Sequence, residues 1–343
     1  MPYFGSEPGE TTTVVGAYNY LINGEMRIAS RGLQMDDGFN DDDMYILDQW
    51  ILLSESNDGV DVTQTTTVPS GGAIKSMGLD VEIANEMFGI CQVIENINCG
   101  GLIGNEVTLS FQAKVTDARI GDVRAYILAW DGTADSVTSD VVATWNDDAN
   151  PTFATNWTAE NTGADLGITT SFAKYSVTAT IDTANTTNVA VFIACVDDSV
   201  NAGDFLYITD VQLETGDTAS DYVREDVSVT QRKCHRYFQK VIGLGNNYTY
   251  MMGMGNNSNQ VHAGMRHFFG QMRIAPTGTA SAASALQRND GTGANETSST
   301  AILLYSASVH DFDLYITAAT VTGNTVYHIN WNGTGYLQMS AEL

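Results

Sequence analysis

Two carboxylates, Asp210 and Glu214, stand four residues apart in the stretch "FLYITDVQLETGDTASDYV" (Phe205 to Val223), which opens like a strand and closes in small polar residues. Acids so placed could act as a general acid and base, bind a hard cation through oxygen, or close the edge of a sheet. The acidic run "DDGFNDDDM" (Asp36 to Met44) reads first as exposed loop charge. Asp41 and Asp43 are the residues there that would take calcium, although the spacing is not that of a known calcium loop. No other cofactor or metal is expected. His235, His262, His267, His310 and His328 form no His-Glu-x-x-His helix, and His262 and His267, five apart, fall on opposite faces of a strand. The chain contains no Gly-x-Ser-x-Gly elbow and no phosphate-cradling Gly-x-x-x-x-Gly-Lys loop. The expectation is a protein without catalytic residues. A depolymerase is kept as an alternative because glycosidase acids leave no local signature. For ligand binding, flat indole rings suit the apolar face of a sugar. Trp145 and Trp157, in the loop-like "ATWNDDANPTFATNWTAENTG", are the candidates for exposure, while Trp50, Trp130, Trp331, Tyr126 and Tyr175 are read as packing residues.

The elements that must position these groups are strands. Short β-type runs separated by Gly, Asn and Asp recur from Tyr18 onward, beginning with "YNYLINGEMRIA" and ending with "DFLYITDVQLE", as in a β-sandwich. In "EVTLSFQAKV", Val107, Leu109, Phe111 and Ala113 share one face and polar residues the other, the pattern of a sheet with one wet side. "NVAVFIACV" is apolar on both faces, so it belongs at the centre of a sheet, under covering loops or between sheets. In the last run, Phe205, Tyr207, Thr209, Val211 and Leu213 are read as one continuous face beside the first strand. Residues 1–17, with two prolines, three glycines and a threonine run, read as an extended arm. Residues 225–240, with clustered Arg232, Lys233, Arg236 and Lys240, read as a connector holding a helical turn or two. The expected organisation is all-β: an arm (1–17), a jelly-roll β-sandwich (18–224), the connector (225–240) and a smaller C-terminal β-domain (241–343).

At 343 residues the chain can bury more than one core. Its formal net charge is −26, unevenly spread: residues 1–230 hold 36 acids and 8 bases, residues 231–343 hold 5 and 7. A surface so negative repels phosphate backbones, which argues against nucleic acid as a partner. No apolar run approaches the roughly 20 residues of a spanning helix, and "MPYFGSEPGE" has neither the basic stretch nor the apolar core of a secretion signal. Cys91, Cys99, Cys195 and Cys234 are too scattered for a disulfide framework and are expected as free, buried thiols.

Several stretches resemble a β-sandwich module recurrent in bacteriophage tail-fibre and virion proteins. "NYLINGEMRIASRG" (Asn19 to Gly32) followed by "LDQW" resembles its opening, with Gln49 in place of the usual arginine. "GNEVTLSFQAKV" resembles a further strand, with Gln112 where an aromatic residue is common, and "YITDVQLETGDTASDYVRED" with "CHRYFQK" resembles its end, with His235 in place of glutamine. "FGQMRIAPT", the terminal "LQMSAEL" and the opening "MPYFGSEPGE" are similar to flanking parts of the same proteins. The module also looks like the jelly-roll carbohydrate-binding modules of glycosidases. The resemblance implies a non-enzymatic virion protein, assembled in the host cytoplasm: a tail fibre in host-surface adhesion, or alternatively a capsid-decorating fibre. It further implies an arm that docks on other virion proteins, a homotrimer, and host-surface glycan as a ligand. In carbohydrate-binding modules of this kind an acid at the place of Asp210 and one in the first strand hold calcium. Arg27 takes the first-strand place here, so the resemblance implies an Arg27 to Asp210 ion pair instead of a metal, with Glu214 as a structural acid.

Overall fold

The computed structural model describes residues 18–35, 40–243, 249–256, 259–266, 270–289, 297–318, 321–331 and 335–343. The expected arm, residues 1–17, and His267 lie outside them. The first part of the chain forms β1 (Gln34–Met35), β2 (Ile51–Ser54), β3 (Val60–Thr65), β4 (Ser76–Val81), β5 (Phe88–Ile94), β6 (Glu106–Val115), β7 (Val123–Trp130), β8 (Val142–Thr144), β9 (Thr152–Phe153), β10 (Trp157–Ala159), β11 (Ala173–Thr180), β12 (Asn188–Cys195) and β13 (Phe205–Thr215), with a short α1 (Asn96–Cys99). They build an antiparallel jelly-roll β-sandwich of a six-stranded sheet, β1-β3-β4-β13-β6-β11, and a five-stranded sheet, β10-β7-β12-β5-β2. Between the sheets lie Trp50, Phe88, Leu109, Phe111, Val191 and Ile193, all at most 1% exposed. Full burial of each is worth about 1.5–3 kcal/mol.

The double-faced apolar strand sits where its sequence demands. Within β12, central in its sheet, Val189, Val191 and Ile193 face the main core. Ala190, Phe192 and Ala194 face a second core on the outside of the same sheet, roofed by the segment between β7 and β11. All four cysteines are free and buried. Burial pushes the Cys99 and Cys195 thiols up to about 12, which leaves them as unreactive apolar groups.

Three expectations for the sandwich are corrected. Residues 18–30 form no strand, because Asn23 and Met26 take positive φ values of 59° and 56°. The Asn23 side chain closes the turn onto its own chain, accepting from Ile28 N at 2.9 Å and donating to Ile28 O at 2.9 Å. The segment still flanks the last strand through Tyr20 N to Leu213 O and Val211 N to Gly24 O, each 3.0 Å. Gly24 is required there, since a Cβ would lie 2.0 Å from the Val211 carbonyl oxygen. The second correction concerns β13 itself. Its register against β6 shifts between Thr209 and Gln212, and Asp210 has φ +51°. This bulge flips the alternation, so Leu206 and Ile208 before it and Val211 and Leu213 after it all reach the core, while Phe205 and Tyr207 stand on the outer face.

Asp210 is held by Arg224, not by Arg27. Arg224 donates from Nη1 and Nη2 to the two Asp210 oxygens at 3.0 and 2.9 Å and also to Glu25, while Arg27 pairs with Glu25 at 3.2 Å. With Gln112 donating to Asp210 Oδ2 at 2.8 Å, the bulge carboxylate has all the partners it needs. The side chains of Asp210 and Glu25 are 2% and 6% exposed, so an opposing charge is obligatory.

Past the sandwich, Asp226 caps α2 (Val227–His235) by accepting from Ser228 N at 2.8 Å, and Arg232 and Lys233 in the last turn complement the helix dipole. The chain then forms β14 (Phe238–Ile242), β15 (Thr249–Gly255), β16 (Gln260–Arg266), β17 (Thr277–Ala280), β18 (Leu286–Asn289), β19 (Thr297–Ser298), β20 (Ala301–Ala307), β21 (Asp311–Thr317), β22 (Val326–Trp331) and β23 (Tyr336–Ser340). A three-stranded sheet, β14-β23-β17, packs on a seven-stranded one, β19-β18-β22-β15-β16-β21-β20, over Leu286, Leu314, Ile316, Ile329 and Met339. Its other side meets the sandwich, where Arg31 pairs with Glu342, lies 3.8 Å from the Phe238 ring centre and accepts at its carbonyl from Lys240. Glu95 ties the α2 end to the sandwich by accepting from Arg236 at 2.8 and 3.1 Å and from the Tyr237 hydroxyl at 2.9 Å.

Replacing Arg224 by Ala strands two buried carboxylates and is expected to cost about 3 kcal/mol in urea unfolding, the lower end of the range for a broken buried pair because Arg224 is itself partly wet. Arg27→Ala should cost under about 1 kcal/mol. Equal losses for the two variants would refute this assignment.

Candidate functional site

The parity flip at Asp210 turns two aromatic residues onto the open face of the six-stranded sheet. Tyr207 stands in a row running Thr63, Gly78, Tyr207, Lys114 across β3, β4, β13 and β6. Gly78 gives the ring room to lie down: a Cβ there would be 3.2 Å from Tyr207 Cε1. The Phe205 and Tyr207 rings are parallel to within 5°, with centroids 5.4 Å apart. Lys114 Nζ lies 5.1 Å from the Tyr207 ring centre and 5.4 Å from that of Phe172. The adjoining row runs Asp61, Asp80, Phe205. The result is a flat aromatic patch with an ammonium group on one side and two carboxylates on the other.

The electrostatics of the patch follow from these neighbours. Asp80 is pushed up to about 6 by burial first and by Glu82 and Asp61 second, and its Oδ1 is buried without a hydrogen-bond partner. Asp61 accepts from Asn40 Nδ2 at 2.9 Å. Burial raises the Tyr207 phenol, the nearby Asp80 adds to that shift, and a hydrogen bond with Thr67 opposes it. Chemically, the patch can hold an apolar ring face by stacking, accept hydroxyl protons at Asp61 and Asp80, and donate from Lys114.

The residues singled out from sequence lie elsewhere. Trp157 is only 5% exposed and packs 5.1 Å from Trp130, and Trp145 is partly buried against Phe192 at 5.9 Å. Both roof the second core, because the outward apolar face of β12 has to be covered by something. Asp210 and Glu214 are not brought together as a reacting pair: Glu214 accepts from Ser220 N at 2.8 Å, Ser220 Oγ at 2.7 Å and Gln212 Nε2 at 2.9 Å. Asp41 offers its carbonyl to Met44 N at 3.3 Å. Asp43 is pushed up to about 6 by burial and by Asp42 and Asp140. Among the described residues, the carboxylates that converge are Asp147, Asp148 and Asp197, whose oxygens lie within 4.8 Å of one another, a set able to face a hard cation. Burial lowers the His235 imidazole, and His262 lies 3.7 Å from Asp313 in the C-terminal domain.

A cleft of about 450 Å³ opens between residues 18–27, residues 222–225 and α2. Its charges are already paired, Glu25 with Arg27 and Arg224, and Glu225 with Lys233 at 2.7 Å. Phe205 and Tyr207 were missed from sequence because β13 was read in one parity throughout, and Lys114, on the wet face of β6, had no aromatic partner in view. The usable signal was two aromatics at i and i+2 ahead of an aspartate, a residue type able to take positive φ.

No protein-family model and no curated protein matches the chain. Among solved structures it is similar to the enzymatically active domain of bacteriophage CBA120 tailspike protein 4, at 17% identity over 58% of this chain and 21% of that one, with a TM-score of 0.36. The chain thus spans about a fifth of that protein. It is also similar to the CBM22-1 xylan-binding domain of Paenibacillus barcinonensis Xyn10C, at 12% identity over 59% and 97% of the two chains, TM-score 0.33. The CBM22-1-CBM22-2 tandem domain of the same protein aligns at 11% identity over 95% and 98%, TM-score 0.33. Scores this low leave function to the site itself.

Asp43, Asp80 and Glu342 all stand above their ordinary values, at about 6, about 6 and about 7, each chiefly through burial. A carboxyl with a raised folded-state pKa binds protons more readily in the folded chain, so stability falls as pH rises through that window. The melting temperature should therefore be higher near about pH 5.5 than near about pH 8, and Asp80→Asn should flatten the slope. Asp204, held low by Arg119, acts in the opposite sense and only below 3.8, while His235, lowered by burial, opposes the trend up to 6.5 as one group against three. A melting temperature that climbs steadily with pH across this range would contradict the burial of these acids.

Proposed function

We propose that the chain is a non-enzymatic bacteriophage virion protein, a tail fibre that holds host-surface glycan on the sheet face around Phe205 and Tyr207. The observation that carries the binding half is the parallel ring pair laid over Gly78 and flanked by Lys114, Asp61 and Asp80. A surface that presents flat rings with hydroxyl partners at their margin suits a polysaccharide strand lying along the sheet. The virion half rests on the sequence resemblance, with residues 1–17 docking on other virion proteins.

Binding is favoured over cleavage by the placement of the acids. Asp61 and Asp80 are direct cross-strand partners on one face. They therefore approach a chain lying on the sheet from one side, whereas glycosidase carboxylates flank the scissile bond. Glu214 and Asp210, the other acids in view, are saturated by internal donors.

The experiment is titration of host envelope polysaccharide into the full chain. Removing an aromatic stacking ring costs about 1–1.5 kcal/mol, so each of Phe205→Ala and Tyr207→Ala should weaken binding roughly tenfold, with the melting temperature little changed because both rings are outside the core. Unchanged affinity in the double variant would remove the patch from the reading, and release of reducing ends would replace adhesion by depolymerase activity. Antibody labelling of intact virions at the head instead of the tail would move the protein to the capsid-fibre class.

A further inference from the structure

The outer face of the seven-stranded sheet carries a row of side chains crossing five strands in register. Val326 lies opposite Met254, Met254 opposite His262, His262 opposite Tyr315, and Tyr315 opposite Leu303. Val326, Met254 and Leu303 are 53%, 55% and 52% exposed, and Met252 in the adjoining row is 63% exposed. At about 4.8 Å per strand the row is roughly 19 Å long. The opposite face of this sheet is closed by the three-stranded sheet, whose far side carries Phe238, Lys240 and Glu342 against Arg31 of the sandwich. The row therefore points away from the sandwich.

We propose that this face is a self-association surface on which a second copy of the chain packs, sheet against sheet. The charge distribution selects that occupant. Residues 1–230 hold 36 acids against 8 bases, so two sandwiches repel, whereas residues 231–343 hold 5 acids and 7 bases. Contact through the near-neutral far face joins two copies while keeping their acidic parts apart. The row also matches itself. It is apolar at both ends, and at its middle the His262 and Tyr315 rings stack at 4.4 Å, with Asp313 3.7 Å from His262. A two-fold axis lying in the contact plane at His262 lays Val326 of one copy over Leu303 of the other, Met254 over Tyr315 and His262 over its counterpart, at the roughly 10 Å spacing of packed sheets. A flat face is shared by two copies, so this contact builds pairs, and a three-fold assembly would need a further contact. The proposal is independent of glycan binding.

Sedimentation of the full chain from about 1 to about 100 µM tests it, with salt added to screen the sandwiches. The expected result is a reversible pair that tightens with salt. Met254→Glu and Leu303→Glu should each weaken it at least about tenfold, while Ile97→Glu, on an exposed apolar residue of the sandwich, should not. Near-UV circular dichroism checks folding, and the milder Met254→Gln and Val326→Thr serve if a charged variant misfolds. Because the native cysteines are buried, His262→Cys should be joined to its counterpart by a short bis-maleimide spacer, the roughly 10 Å sheet spacing being too wide for a direct disulfide. A wild-type chain that stays monomeric throughout, or pairs that survive both Met254→Glu and Leu303→Glu, would overturn the proposal.

Discussion

The buried ion pair between Arg224 and Asp210 is the constraint on which the sandwich's outer face depends. A strand normally keeps one parity from end to end, and β13 would then send Leu206 and Ile208 to the core and lose Val211 and Leu213 to solvent, or the reverse. One residue of positive φ lets both pairs of aliphatic side chains stay inside. The carboxylate placed at that residue is buried by the same geometry, which obliges the chain to bring a guanidinium over it. Residues 216–225 are laid back along the strand for that purpose, and the Glu25 that shares Arg224 ties residues 18–30 into the same corner. Folding, closure of the sheet edge and exposure of Phe205 and Tyr207 are consequences of one bulge.

The five-stranded sheet solves a different problem. Its central strand is apolar on both sides, so a single sandwich core leaves Phe192 and its neighbours facing water. The chain answers with a long excursion between β7 and β11 that returns Trp145, Phe153 and Trp157 to the outside of the sheet. The acidic residues of that excursion, Asp147 and Asp148 among them, are left at the surface, where mutual repulsion raises Asp148. The roof is apolar underneath and negative on top.

Much of this was legible in the residues. The alternation of Val107, Leu109, Phe111 and Ala113, the double-faced Asn188–Cys195 strand and the free buried cysteines all follow from local pattern, and the structure agrees with each. What the sequence did not disclose depends on single residues whose conformation is set from a distance. The aspartate behind two alternating aromatics is a faint local mark of the bulge, and nothing near Asp210 says that its partner is Arg224 when Arg27 is as plausible an arginine. The turn at Asn23 and Met26 hid the absence of a first strand, because its residues have good strand composition. Trp145 and Trp157 were misplaced for a related reason: polar loop sequence masked the fact that the neighbouring strand needed a roof.

Gly78 has a meaning that its conformational freedom alone would not suggest. It lies in an extended strand between Thr63 and Tyr207, where the missing side chain forms a shallow seat for the phenol ring. In a lineage under pressure to change the molecules it grips, this strand can be edited without touching any aromatic residue: a methyl group at the seat would tilt the ring and alter the contour of the face, while the scaffold beneath kept its fold. Variation at a silent-looking backbone position would then read out as a reshaped aromatic face.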